Sequence, residues 1–107
     1  MAKNIDAKTL KEKIDRGDQF HLVETLLPQE YAKWHLPGAI SIHFNKIGKA
    51  ARDRFAEDDE IVVYCHDAEC NASPIAAKKL ESMGYKNVYE FSGGKAAWKE
   101  AGYPEES

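Results

Sequence analysis

Both cysteines of this 107-residue chain, Cys65 and Cys70, fall in one short stretch, Cys65-His66-Asp67-Ala68-Glu69-Cys70-Asn71-Ala72-Ser73. Upstream, Ile61-Val62-Val63-Tyr64 is a run of β-prone residues after Asp58-Asp59-Glu60, which predicts a short strand buried on both faces. Downstream, Ser73 suits a helix N-cap and Pro74 the first helical position. Ala72, Ala76, Leu80 and Met83 then recur at helical spacing, and Gly84 stands where a left-handed cap belongs. Cys65 is therefore expected at a strand's C-terminal end, in a loop facing a helix start. Unpaired N–H groups at such a junction favour an anion. A thiol held there can have its pKa lowered from about 8.5 into the range of about 3.5–7.5, which makes it a nucleophile at neutral pH.

Each residue of the stretch has a plainer reading beside the chemical one. Cys65 is either the working thiol or a buried cysteine at a strand end. For Cys70 three roles stay open: an alternative nucleophile, a resolving thiol that pairs with Cys65, or a residue packed under the loop. His66 either stabilises a thiolate as imidazolium or is simply solvated. Asp67 and Glu69 read first as solvated loop charges. Cys65, His66, Asp67 and Cys70 lack the paired spacing of a structural zinc site, so no metal is expected.

The rest of the chain supplies the elements that position this loop. Asp6 can cap a helix over Ala7–Arg16 that stops at Gly17. Phe20-His21-Leu22-Val23-Glu24 predicts a strand, and Pro28 opens a helix through Trp34 that ends at Pro37-Gly38. Ala39-Ile40-Ser41-Ile42-His43 alternates as a half-exposed strand does, with a looser helix over residues 45–55. Asn87-Val88-Tyr89-Glu90-Phe91 is a further strand. Gly93-Gly94 permits backbone turns before a helix over residues 95–100. Strands alternating with short helices predict an α/β fold: a mainly parallel central sheet with helices on both faces, as one domain over residues 1–107.

Composition narrows the function classes. Charges of both signs are interspersed, with a formal net charge of −3, so no basic nucleic-acid surface is expected. No run approaches the roughly 18 apolar residues of a membrane span, and Met1-Ala2-Lys3-Asn4-Ile5-Asp6 carries no apolar signal region. A cytoplasmic setting is the expectation.

Several spaced motifs converge on one family. Leu22-Val23-Glu24, Glu30-Tyr31, and His35-Leu36-Pro37-Gly38-Ala39-Ile40 are followed by Val62-Val63-Tyr64-Cys65, Ala76-Ala77, Gly84-Tyr85, Asn87-Val88-Tyr89, Gly93-Gly94, Ala97-Trp98 and Ala101-Gly102-Tyr103-Pro104. In this order they resemble the single-domain rhodanese-like sulfurtransferase family along nearly the whole chain. The resemblance implies that Cys65 takes sulfane sulfur from a donor such as thiosulfate or a persulfide and holds it as a persulfide. It then passes the sulfur to a thiol, cyanide or a protein acceptor, with no organic cofactor. It further implies that amides of residues 66 to about 71 cradle that sulfur.

The chain departs from the family pattern at three places. Glu24 stands where the family has Asp and Leu26 where it has Arg, so a structural charge pair is expected to be missing or rebuilt. The loop is longer by about two residues before Ser73. It also has no Arg or Lys and carries Asp67 and Glu69, which predicts weak thiosulfate turnover. The same lack of arginine argues against phosphoryl chemistry on a related architecture. Two other readings remain: a noncatalytic or regulatory rhodanese-like module that binds a protein partner, and a Cys65/Cys70 redox switch.

Overall fold

The computed structural model describes residues 2–107. In chain order its elements are β1 (Lys3–Asn4), α1 (Ala7–Arg16), β2 (His21–Glu24), α2 (Pro28–Lys33), β3 (Ile40–Ser41), a 3-10 turn (Phe44–Lys46), α3 (Ile47–Arg54), β4 (Glu60–Tyr64), α4 (Ala72–Ser82), β5 (Asn87–Phe91) and α5 (Gly94–Glu100). The strands form one parallel sheet in the order β1-β5-β4-β2-β3. The expected α/β architecture is present.

β4 is the middle strand, and its alternation shows how the layers form. Ile61 and Val63 face one cluster with Ile47, Ala51, Ala76 and Leu80 of α3 and α4. Val62 and Tyr64 face the other, with Leu10 of α1, Leu36 and Trp98 of α5. Covering both faces explains why β4 reads as a continuous apolar run and not as an alternating one. The strand ends at Tyr64, and its direction carries Cys65 out at the carboxyl edge of the sheet.

Local signals set several boundaries. Asp6 accepts the Thr9 amide at 2.8 Å and caps α1, and Gly17 ends it with φ 73°. Other boundaries differ from the sequence reading. The strand expected over residues 39–43 is only Ile40–Ser41, because the backbone beyond it bonds to the end of β2: the Ile42 amide donates to Glu24 O and the Phe44 amide to Thr25 O. β1 escapes sequence reading altogether. It is two exposed residues, held by pairing with Tyr89 and Glu90 of β5.

The start of α4 also needs correction. The helix begins at Ala72 after Asn71, with no side-chain cap, and Ser73 lies inside its first turn. Ser73 does not cap because its hydroxyl is engaged elsewhere, with Cys65 and Glu90.

Candidate active site

Cys65 lies between the end of β4 and the first turn of α4, at the floor of the loop. It is 1% exposed and packs with Leu26 and Ala72, flanked by Phe44 and Cys70. Its Sγ lies 3.3 Å from Ser73 Oγ, and the Ser73 hydroxyl in turn donates to Glu90 Oε2 of β5 at 3.1 Å. Ser73 has one hydroxyl proton. While that proton points to Glu90, the Cys65 S–H donates to Ser73 Oγ; if it turns to a Cys65 thiolate, Glu90 loses it. Thiol, hydroxyl and carboxylate thus form a continuous hydrogen-bonded chain from Cys65 Sγ to the half-buried Glu90. Sequence alone offers no sign of Glu90, because β5 is brought beside β4 only by the sheet.

The expected lowering of the thiol pKa does not hold in this arrangement. Burial pushes Cys65 up to about 11, and the neighbouring Cys70 thiol acts in the same direction; the hydroxyl and amide of Ser73 oppose both and are outweighed. The helix-start argument is correct in sign and too small. Alkylation of Cys65 should therefore be slow at neutral pH and rise about tenfold per pH unit until the pH nears 11. Iodoacetamide rates followed by peptide mapping across pH 6–10.5 (about ten points) check this; a plateau near neutral pH would refute it.

The loop folds on itself above the thiol. The Glu69 amide donates to Asp67 Oδ1 at 3.0 Å and the Cys70 amide to Asp67 O at 3.2 Å, so these two amides serve a turn and are not aimed at Cys65. His66, Asp67, Ala68, Glu69 and Asn71 are exposed, whereas Ala72 and Ser73 are buried and Cys70 is partly so. His66 faces Glu30 of α2, with Nε2 at 3.5 Å from Oε1. Among the described residues no group of three or more His, Cys, Asp or Glu side chains is placed to hold a metal ion.

α5 fixes the loop from below. The Lys95 amide donates to Cys65 O at 2.9 Å and the Ala96 amide to His66 O at 2.8 Å. Gly94 makes this approach possible: its φ is 60°, and a Cβ there would lie 2.3 Å from Cys65 O. The Gly93-Gly94 pair is thus a backbone turn, and Gly94 is also a point of close contact with Cys65.

At the position where a charge pair is expected to be missing or rebuilt, Glu24 is paired with Lys95. Glu24 is fully buried, and its Oε1 accepts from Lys95 Nζ at 3.0 Å and from the Tyr64 hydroxyl at 3.0 Å. Lys95 Nζ also donates to Glu30 O at 2.9 Å, and the Tyr64 oxygen accepts the Leu36 amide at 3.2 Å. Burial beside Glu24 pushes the Tyr64 hydroxyl up, which keeps it a donor. This network joins β2, β4, α2 and α5 directly beneath Cys65. A cleft of about 280 Å³ opens next to it, where Lys33, Lys95 and Lys99 surround Trp34 beside His66 and Asp67. The lysines of this cleft come from α2 and α5, where Lys33 pairs with Glu30 and Lys95 with Glu24.

No helix among the described residues is long and apolar enough to cross a membrane.

Comparison with known proteins gives this geometry its context. The chain is 29% identical over 94 residues to the putative sulfur carrier protein YrkF of Bacillus subtilis, covering 88% of this chain and 49% of that protein. It is 27% identical over 104 residues to a sulfurtransferase of Allochromatium vinosum, covering 97% and 94%. The solution structure of the rhodanese-like domain from the Anabaena Alr3790 protein superposes with a TM-score of 0.89 at 29% identity, covering 100% of this chain and 80% of that one. The chain spans about half the length of several of the curated relatives it matches. Residues 6–101 match the rhodanese-like domain as a family, and the chain belongs to it.

Proposed function

We propose that the protein is a sulfurtransferase in which Cys65 carries sulfane sulfur as a persulfide. The observation that carries this reading is the position of Cys65 at the carboxyl edge of the parallel sheet, with its Sγ joined through Ser73 Oγ to Glu90. In the first half-reaction Cys65 sulfur attacks the outer sulfur of the donor. For thiosulfate the S–S bond breaks, sulfite leaves with the bond pair, and the thiol proton passes through Ser73 to Glu90. The persulfide then gives its outer sulfur to a thiol, cyanide or a protein acceptor. The relatives named for sulfur carriage and sulfur transfer support this class of reaction. A cytoplasmic setting, in which thiols stay reduced, suits it.

Exposed Asp67 and Glu69 set the donor preference. Both carboxylates oppose the approach of a dianion, while a neutral persulfide donor meets no such barrier. We expect the neutral donor to be turned over faster than thiosulfate. Asp67→Asn with Glu69→Gln should raise kcat/KM for thiosulfate by about 3–10-fold at low salt, less at high salt, and leave the neutral donor unchanged. Asn at position 67 keeps an oxygen to accept the Glu69 amide, so the turn survives. Absence of turnover with both donors, on folded and reduced protein, would sink the reading.

A second reading has its own support: Cys65 is 1% exposed and the loop has no arginine, both of which suit a regulatory module that binds a protein partner.

A further inference from the structure

We propose that Cys70 resolves the Cys65 persulfide within the same chain, releasing the outer sulfur as hydrogen sulfide and leaving a Cys65–Cys70 disulfide. The proposal rests on the sulfurtransferase reading above and adds a second, reductive outcome to it.

The loop is built to bring the two thiols together. The turn at Asp67, closed by the Glu69 and Cys70 amides at 3.0 and 3.2 Å, folds the chain back on itself. Cys70 thereby packs on the cluster of Leu26, Cys65 and Ala72, which brings its side chain alongside that of Cys65. Both cysteines are free thiols, one buried and one partly exposed. A sulfur added to Cys65 thus finds a second thiol of the same chain already beside it, at an effective concentration no dissolved acceptor matches. Two thiols packed on one cluster at the ends of a closed turn are placed for the approach that disulfide geometry requires.

The attack has two possible targets, and the surroundings select one. Attack on the outer sulfur would move it to Cys70 and expel the Cys65 thiolate. Attack on Cys65 Sγ, which lies in the cluster Cys70 packs on, expels hydrosulfide. Exchange runs faster to the better leaving group. The Cys65 thiol, pushed up to about 11 by burial, is a poor one. The step balances: Cys65–S–SH and Cys70–SH give Cys65–S–S–Cys70 and one molecule of hydrogen sulfide. The bond between Cys65 sulfur and the outer sulfur breaks, the bond between the two cysteine sulfurs forms, and the Cys70 proton leaves with the sulfide. The sulfane sulfur gains two electrons and the two cysteines lose them. A further turnover then needs a dithiol reductant to reopen the disulfide.

The test is a single turnover without oxygen, on reduced protein freed of small thiols, with a neutral persulfide donor and no acceptor. Trapped sulfide and intact mass are recorded for the wild type, Cys70→Ser and Cys70→Ala. The wild type should release about one sulfide per chain and lose about 2 Da, while both variants should gain about 32 Da and release none. A wild type that stays about 32 Da heavier, with no more sulfide than the variants, overturns the proposal and leaves the sulfurtransferase reading standing. A 2-Da loss (about one disulfide) without donor also overturns it, since the disulfide would then form by oxidation alone. No added sulfur on any of the three folded proteins overturns both.

Discussion

Replacing Cys65 with Ser is expected to reduce transfer of sulfur to cyanide by on the order of 10³-fold or more, with the fold unchanged. A hydroxyl in that position is far less nucleophilic and cannot form a persulfide. Ser73 and Glu90 would remain in place, yet there would be no sulfur for them to serve. Cys70→Ser should behave in the opposite way. It leaves Cys65 and the Ser73–Glu90 path intact and removes the internal competitor, so thiocyanate formed per donor consumed should rise. Rates measured by thiocyanate formation, on proteins matched by circular dichroism, check both arms. Transfer retained by Cys65→Ser and lost by Cys70→Ser would move the nucleophile to Cys70.

The buried pair of Glu24 and Lys95 carries the second large effect. Glu24 is fully buried and the Lys95 side chain is 6% exposed, so removing either partner leaves the other charged group in a dry setting. Glu24→Leu alone or Lys95→Met alone should destabilise the fold by about 3–5 kcal/mol. The double variant should lose at least about 2 kcal/mol less than the sum, because an apolar pair strands no charge. Its residual loss comes from the Tyr64 hydroxyl, which then has no acceptor. Urea unfolding of the four proteins gives the coupling; strictly additive losses would show that the pair does not act as a unit. Functionally the pair holds α5, whose Lys95 and Ala96 amides fix the carbonyls of Cys65 and His66.

The parts of this protein that can be read from its sequence are those with local causes. α1 is legible at both ends because Asp6 and Gly17 act within one turn of it. β4 is legible because burial on both faces writes a continuous apolar run. β1 is not, since two exposed residues carry no pattern and owe their conformation to β5. Ser73 is legible as part of the site but not in its role, because tertiary partners at 3.3 and 3.1 Å compete successfully with its own helix for the hydroxyl. Glu24 stands out only as an odd residue in an apolar strand. Its meaning needs Lys95, which the fold alone brings within 3.0 Å. The thiol pKa escapes local reading for a related reason: a helix start is a local feature, while burial depends on Leu26, Phe44 and Ala72 closing over the sulfur.

The most direct test of the central claim is to locate the transferred sulfur. Cys70→Ser, reduced and folded, would be loaded with a neutral persulfide donor, and separately with thiosulfate, then alkylated and digested for tandem mass spectrometry. The account predicts about 32 Da of added sulfur on the peptide carrying Cys65, more from the neutral donor than from thiosulfate. Folded, reduced protein that carries no added sulfur on Cys65 with either donor would contradict it.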